Sequence, residues 1–233
     1  MTLQDQVAIV TGGTGALGQA VTLRLLGEGA AVAIPYAVEK ERERLLERVA
    51  PADRGRLVTE AVDVSSLTAM TAFADGVAAK RGKIDVLVAG VGGFAGGGLV
   101  ETDEATWRRM LDLNLTSAFA TARAVVPHML RAGYGRVVVI ASRAVVPPQG
   151  GFIAYTVAKA GAIAFVQALA QETRSRGVTV NAVLPSTMDT PANRAAMPDS
   201  DRKGWVPVEA VADAIAMLVR PAAAYITGTL LAI

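Results

Sequence analysis

Tyr155 and Lys159 stand four residues apart in the run Tyr155-Thr156-Val157-Ala158-Lys159. On a helix that spacing puts both side chains on one face. A phenol is a weak acid of pKa about 10, and a neighbouring ammonium favours its phenolate. The pair therefore reads as an acid–base drawn down towards neutral pH, able to give a proton to a carbonyl oxygen or take one from an alcohol. Ser142 closes an apolar strand pattern thirteen residues earlier and offers a hydroxyl to the same oxygen.

A second chemical signal lies near the N-terminus. Thr11-Gly12-Gly13-Thr14-Gly15-Ala16-Leu17-Gly18 leaves a strand pattern and enters a helical one. Glycines there permit a tight turn and let the backbone approach a pyrophosphate, which then sits at the positive end of the helix. The strand–turn–helix context marks a dinucleotide-binding turn rather than any tight turn. The next strand ends Ile34-Pro35-Tyr36-Ala37, without the carboxylate that would hold a ribose 2′-hydroxyl. A 2′-phosphate is tolerated there, with Lys40 and Arg42 the nearest cations, so NADP is expected ahead of NAD.

Other chemistries are poorly supplied. The chain has no cysteine, which excludes disulfides, thiolate metal sites and a cysteine nucleophile. The single histidine, His128, follows Pro127 inside an apolar helical pattern and reads as a helix residue without chemistry, so no metal site is expected. Lys and Arg total 23 against 21 Asp and Glu, a balance that gives nucleic acid no footprint. No run of 18 apolar residues suggests a membrane span, and no leader pattern precedes the first strand, so the cytoplasm is the expected compartment.

These groups need a scaffold, and the pattern around them supplies one. Short Val- and Ile-rich runs at 6–11, 30–35, 56–62, 84–90, 135–142, 178–184 and 225–231 read as strands buried on both faces. Helical patterns fill the gaps at 16–28, 38–49, 67–80, 101–131, 151–176 and 208–219. Strict alternation predicts a single Rossmann-type α/β domain over 1–233, a doubly wound parallel sheet of seven strands with helices on both faces. Pro127 is expected to end or kink the long 101–131 helix. The segment 185–207 holds four prolines and little periodicity, and is expected to be a loop shaping the substrate pocket. The 151–171 helix is apolar on more than one face (Ile153, Val157, Ile163, Phe165, Val166, Leu169), which predicts a homodimer or homotetramer.

Together the glycine turn at 11–18, Asp63-Val64, Asn114, Ser142, Tyr155, Lys159 and Asn181-Ala182-Val183-Leu184-Pro185 resemble the short-chain dehydrogenase/reductase family over essentially the whole chain. The resemblance implies hydride transfer between a nicotinamide and a carbonyl or alcohol carbon. It implies Tyr155 as proton donor, Ser142 polarising the substrate oxygen, Lys159 tuning Tyr155 and holding the nicotinamide ribose, and Asn114 holding a proton-relay water. For the cofactor it implies Gly12, Thr14, Gly15, Leu17, Gly18, Tyr36, Asp63, Val64, Gly90, Val91, Gly92, Pro185, Thr187, Met188 and Thr190, beside Tyr155 and Lys159. Local motifs such as Gly92-Gly93-Phe94-Ala95-Gly96-Gly97 resemble dihydropteridine reductases, while the middle of the chain resembles 3-oxoacyl carrier-protein reductases. The rival reading is a sensor or scaffold that binds NAD(P) without turnover. Loss of Tyr155 or Lys159 would have favoured it, and both are present.

Overall fold

The computed structural model describes residues 2–233. In chain order the elements are β1 (Val7–Thr11), α1 (Ala16–Gly27), β2 (Ala31–Tyr36), α2 (Glu39–Arg48), β3 (Leu57–Ala61), α3 (Leu67–Arg81), β4 (Val86–Ala89), α4 (Glu104–Leu111), α5 (Ser117–Ala132), β5 (Gly135–Ile140), α6 (Ile153–Thr173), β6 (Val178–Leu184), β7 (Met188–Asp189), α7 (Pro191–Ala196), β8 (Val206–Pro207), α8 (Val208–Val219) and β9 (Leu230–Ala232).

Strands β1, β4, β5 and β6 are buried at every position, so neither face can meet water. Such strands need helices above and below, and the sheet is parallel throughout in the order β3-β2-β1-β4-β5-β6-β9. Two apolar layers result. On one face Met70 and Phe73 of α3, Val125 and Met129 of α5, and Ile163 and Val166 of α6 cover the sheet. On the other, Leu25 and Leu26 of α1, Leu45 of α2 and Ile215 of α8 do so. The chain winds outward from β1 to β3, then crosses back to place β4 beside β1. That reversal opens a crevice at the carboxyl ends of β1 and β4, the usual ligand position in such sheets.

The expected fold stands, with local differences. The 101–131 stretch is two helices joined by a π-helical turn at Asp112–Thr116. A π turn inserts one residue into the 3.6 period and re-aims the side chains that follow. Pro127 does not end the helix: α5 runs through it to Gly133, whose φ of 67° terminates it. Val125, Val126 and Met129, all buried beside Pro127, hold that segment on the sheet against the cost of the missing N–H. The last strand is Leu230–Ala232, not 225–231, because Tyr225 lies in solvent and Gly228 adopts φ 74°. The 185–207 segment is less irregular than expected, with α7 inside it and β7 paired to β8. Helix α6 is long and apolar enough to cross a membrane by length and composition, yet here Ala158, Ala162, Val166 and Ala170 are buried in the core. His128 lies on α5 between Asp75 and Arg131, with its Nε2 2.8 Å from the Asp75 carboxylate.

Candidate active site

The glycine turn and the loop after β4 meet at the crevice. Gly12 has φ 69°, and a Cβ there would lie 2.8 Å from the Gly90 carbonyl oxygen. A Cβ on Gly18 would fall 1.9 Å from the Gly12 oxygen, so α1 can start this close to the turn only with glycine at that position. Gly15 differs: its Cβ would meet nothing nearer than 3.5 Å, and it is the N-cap of α1 with no side-chain cap bond. The first N–H groups of α1, near Ala16, Leu17 and Gly18, are thus left without a side-chain acceptor, above a turn that keeps its space open. This cradle fits a dinucleotide pyrophosphate. Thr14 is buried, and its hydroxyl donates to Glu41 at 3.2 Å.

Other expected cofactor residues sit along the same sheet edge. Tyr36 ends β2, and the neighbouring Glu39 carboxylate, with a smaller contribution from burial, raises the phenol above its ordinary value. The Arg42 guanidinium lies 5.5 Å from the Tyr36 ring centre, with its Nε donating to Thr59 at 2.8 Å and a further bond to Glu39. Sequence reading placed no cation on the end of β2; the first turns of α2 bring Arg42 and Glu39 back over it, while Glu41 meets Thr14. Asp63 and Val64 follow β3, and the Ser65 hydroxyl and backbone N–H hold the Asp63 carboxyl below its usual range. Beyond β6, Pro185 is buried and its carbonyl accepts from the Arg143 backbone at 3.1 Å, which ties the loop to the residue after Ser142. Thr187 is exposed, and Met188 opens β7. The Thr190 hydroxyl caps α7 through the Asn193 N–H at 3.2 Å.

The acid–base candidates come from two elements. Ser142 lies just past the end of β5, while Tyr155 and Lys159 occupy the first turns of α6. Ser142 Oγ accepts from the Ala144 N–H at 3.2 Å, and the Ser142 hydroxyl lies near enough to the Tyr155 phenol to favour its phenolate. Lys159 is buried, and its Nζ donates to the Ile140 carbonyl at 2.6 Å, pinning α6 to the end of the strand that carries Ser142. Burial pushes the Lys159 ammonium down to about 8. The phenol departs from the expected direction. Burial raises the Tyr155 pKa, and the neighbouring Ser142 hydroxyl opposes it only in part.

Asn114 lies in the π turn, buried, with both ends of its amide engaged. Its Nδ2 donates to the Gly93 and Met110 carbonyls at 3.0 Å each, and its Oδ1 accepts from the Gly93 N–H at 3.2 Å. Asn114 therefore fixes the loop after β4. A Cβ on Gly92 would lie 2.9 Å from Asn114 Oδ1 and 3.3 Å from Lys159 Nζ. Gly90, Val91 and Gly92 thus run between the glycine turn and the acid–base set, joining the cofactor cradle to the chemistry.

Sequence reading missed one group. Phe94 and Phe152 gather around Tyr155, with ring centres 5.1 and 6.0 Å from it. Only the fold reveals it, since Phe94 and Phe152 lie 58 residues apart in sequence.

A nucleotide cradle at the switch point of a parallel sheet, beside a Ser–Tyr–Lys set, defines a dinucleotide-dependent oxidoreductase. The family profile described as short chain dehydrogenase matches residues 6–201, and the chain belongs to that family. It is 31% identical over 237 aligned residues to the 3-oxoacyl-acyl-carrier-protein reductase FabG of Escherichia coli (strain K12), covering 98% of this chain and 95% of the relative. It is 39% identical over 186 residues to the 2-dehydro-3-deoxy-L-rhamnonate dehydrogenase (NAD(+)) of Sphingomonas sp. (strain SKA58), covering 79% of this chain and 72% of that protein. The crystal structure of NAD+-bound xylitol dehydrogenase matches with a TM-score of 0.90 at 26% identity, covering 100% of this chain and 99% of the other.

Proposed function

We propose that the protein reduces a carbonyl compound, or oxidises the corresponding alcohol, with Tyr155 as the acid–base. The observation that carries this reading is Lys159 held between the end of β5 and Gly92, with Ser142 beside Tyr155 one turn away on α6, next to a cradle that fits a pyrophosphate. The bound nicotinamide would supply the hydride to the carbonyl carbon. Tyr155 gives its proton to the carbonyl oxygen as charge develops there, and Ser142 donates a second hydrogen bond to that oxygen. Lys159 compensates the phenolate left behind and offers an N–H to the nicotinamide ribose. In the alcohol direction the same proton travels back to Tyr155.

NADPH is proposed as the preferred cofactor, with Arg42 as the cation for a 2′-phosphate at the end of β2. The likeness to 3-oxoacyl-acyl-carrier-protein reductases makes β-keto carbonyl compounds the first class to test. The test is single-turnover hydride transfer in Tyr155→Phe. The change removes only a hydroxyl, so dinucleotide affinity should persist within about threefold while transfer falls at least about 10³-fold. Near-wild-type transfer in that variant would overturn the mechanism.

A further inference from the structure

The three rings at the site are held together by backbone. The Gly97 N–H donates to the Gly151 carbonyl at 2.8 Å, and the Ile153 N–H donates to the Gly97 carbonyl at 3.1 Å. This short bridge ties the loop after β4 to the start of α6, and it sets Phe94 beside Phe152 with ring centres 5.7 Å apart. Gly97 adopts φ 127°, a conformation that a side chain would oppose. The rings meet at 55° to 71°, edge towards face, so no two are stacked flat. Phe94 keeps 64% of its surface uncovered although its loop is anchored on both sides. An anchored, uncovered aromatic ring next to an acid–base hydroxyl is placed to meet a ligand rather than to fill a core.

We infer that Phe94 and Phe152 form an aromatic wall that selects substrates whose reacting carbonyl is attached directly to a flat aromatic ring. The guest ring rests on the free faces of the wall, and a carbonyl one bond away reaches the Tyr155 hydroxyl. Each aromatic pair of this kind is worth about 2- to 12-fold in affinity beyond its buried area. The inference rests on the reductase reading above and narrows its substrate.

The test uses two β-keto esters of similar bulk, ethyl 3-oxo-3-phenylpropanoate and ethyl 3-cyclohexyl-3-oxopropanoate, reduced by the intact protein with NADPH and with NADH. The phenyl compound should have a KM at least about fivefold lower. Phe94→Leu and Phe152→Leu should bring the two KM values within about twofold of each other, whereas Phe94→Tyr should keep the difference. Comparing ratios between variants cancels the intrinsic reactivity of the two ketones. Equal KM values in the wild type, or a ratio unchanged in the leucine variants, overturn the aromatic wall and leave the reductase reading standing. Turnover of neither compound with either cofactor also overturns the aromatic wall, while the reductase reading falls only on the Tyr155→Phe test.

Discussion

Lys159 carries a charge that its surroundings disfavour, and that conflict sets how the site responds to alkali. Burial holds its pKa down at about 8, while burial pushes the Tyr155 phenol up from its ordinary value. As pH rises, the ammonium is therefore lost first, and the phenol still holds the proton it must give. The kcat/KM for reduction should be level below pH 8 and fall about tenfold per unit above it. A profile flat to pH 10 would mean that the Lys159 charge takes no part. Ser142→Ala should slow transfer by about 10²–10³, the usual value of one donor aimed at a developing oxyanion. Arg42→Ala should weaken NADPH at least about tenfold and NADH little, read as dissociation constants by titration; equal losses would remove Arg42 from cofactor selection. At this scale the sequence was legible where spacing alone decides: Tyr155 and Lys159 share a helix face, while Ser142 falls two residues past its strand, which ends at Ile140 and not at 142. It was not legible where burial decides. The upward shift of Tyr155 depends on how deeply the fold buries it, and the reach of Arg42 over Tyr36 depends on the pitch of α2.

Elements explain why some glycines serve the fold and others serve the ligand. Gly18→Ala would drive a methyl into the Gly12 carbonyl, so it should cost at least about 2 kcal/mol in denaturant unfolding. Gly15→Ala meets no close protein atom, so stability should stay within about 0.5 kcal/mol while dinucleotide affinity falls about tenfold. If Gly15→Ala bound the dinucleotide normally, the cradle would be misplaced. The π turn makes the parallel case among side chains. Periodicity read 101–131 as one helix because a single inserted residue barely disturbs an apolar pattern, yet that residue turns Asn114 inward to the loop after β4. The run at 225–231 misled for the opposite reason. Its apolar residues look like a strand, but only Leu230–Ala232 finds β6 to pair with.

Across the whole molecule, Glu28 fastens the end of α1 to two distant segments, the N-terminus and the end of α8. Burial alone would raise its pKa, but hydrogen bonds from Arg220, Thr2 and Arg24 bring it down to about 2. A carboxylate depressed in the folded state contributes stability above its unfolded pKa, near 4.5, and loses it as pH falls towards 2. The thermal midpoint should drop through that window in the wild type and much less in Glu28→Gln, which should itself cost about 2 kcal/mol at pH 7. Association is expected too. Phe119 is half exposed on α5, edge-on to Phe165 of α6 at 6.4 Å, and Val157 is also exposed. Sedimentation at micromolar concentration should give a dimer or tetramer, and a clean monomer would refute this. The parallel sheet and its two helical layers were readable because alternation repeats along the whole chain, whereas contacts between distant loops leave no periodic trace. One such contact bears on redesign. Because Gly97 is laced to Gly151 and Ile153, residues 94–97 and 151–153 behave as one cassette. A specificity graft that swaps either strip alone would import a loop without its dock, so donor and recipient must exchange both.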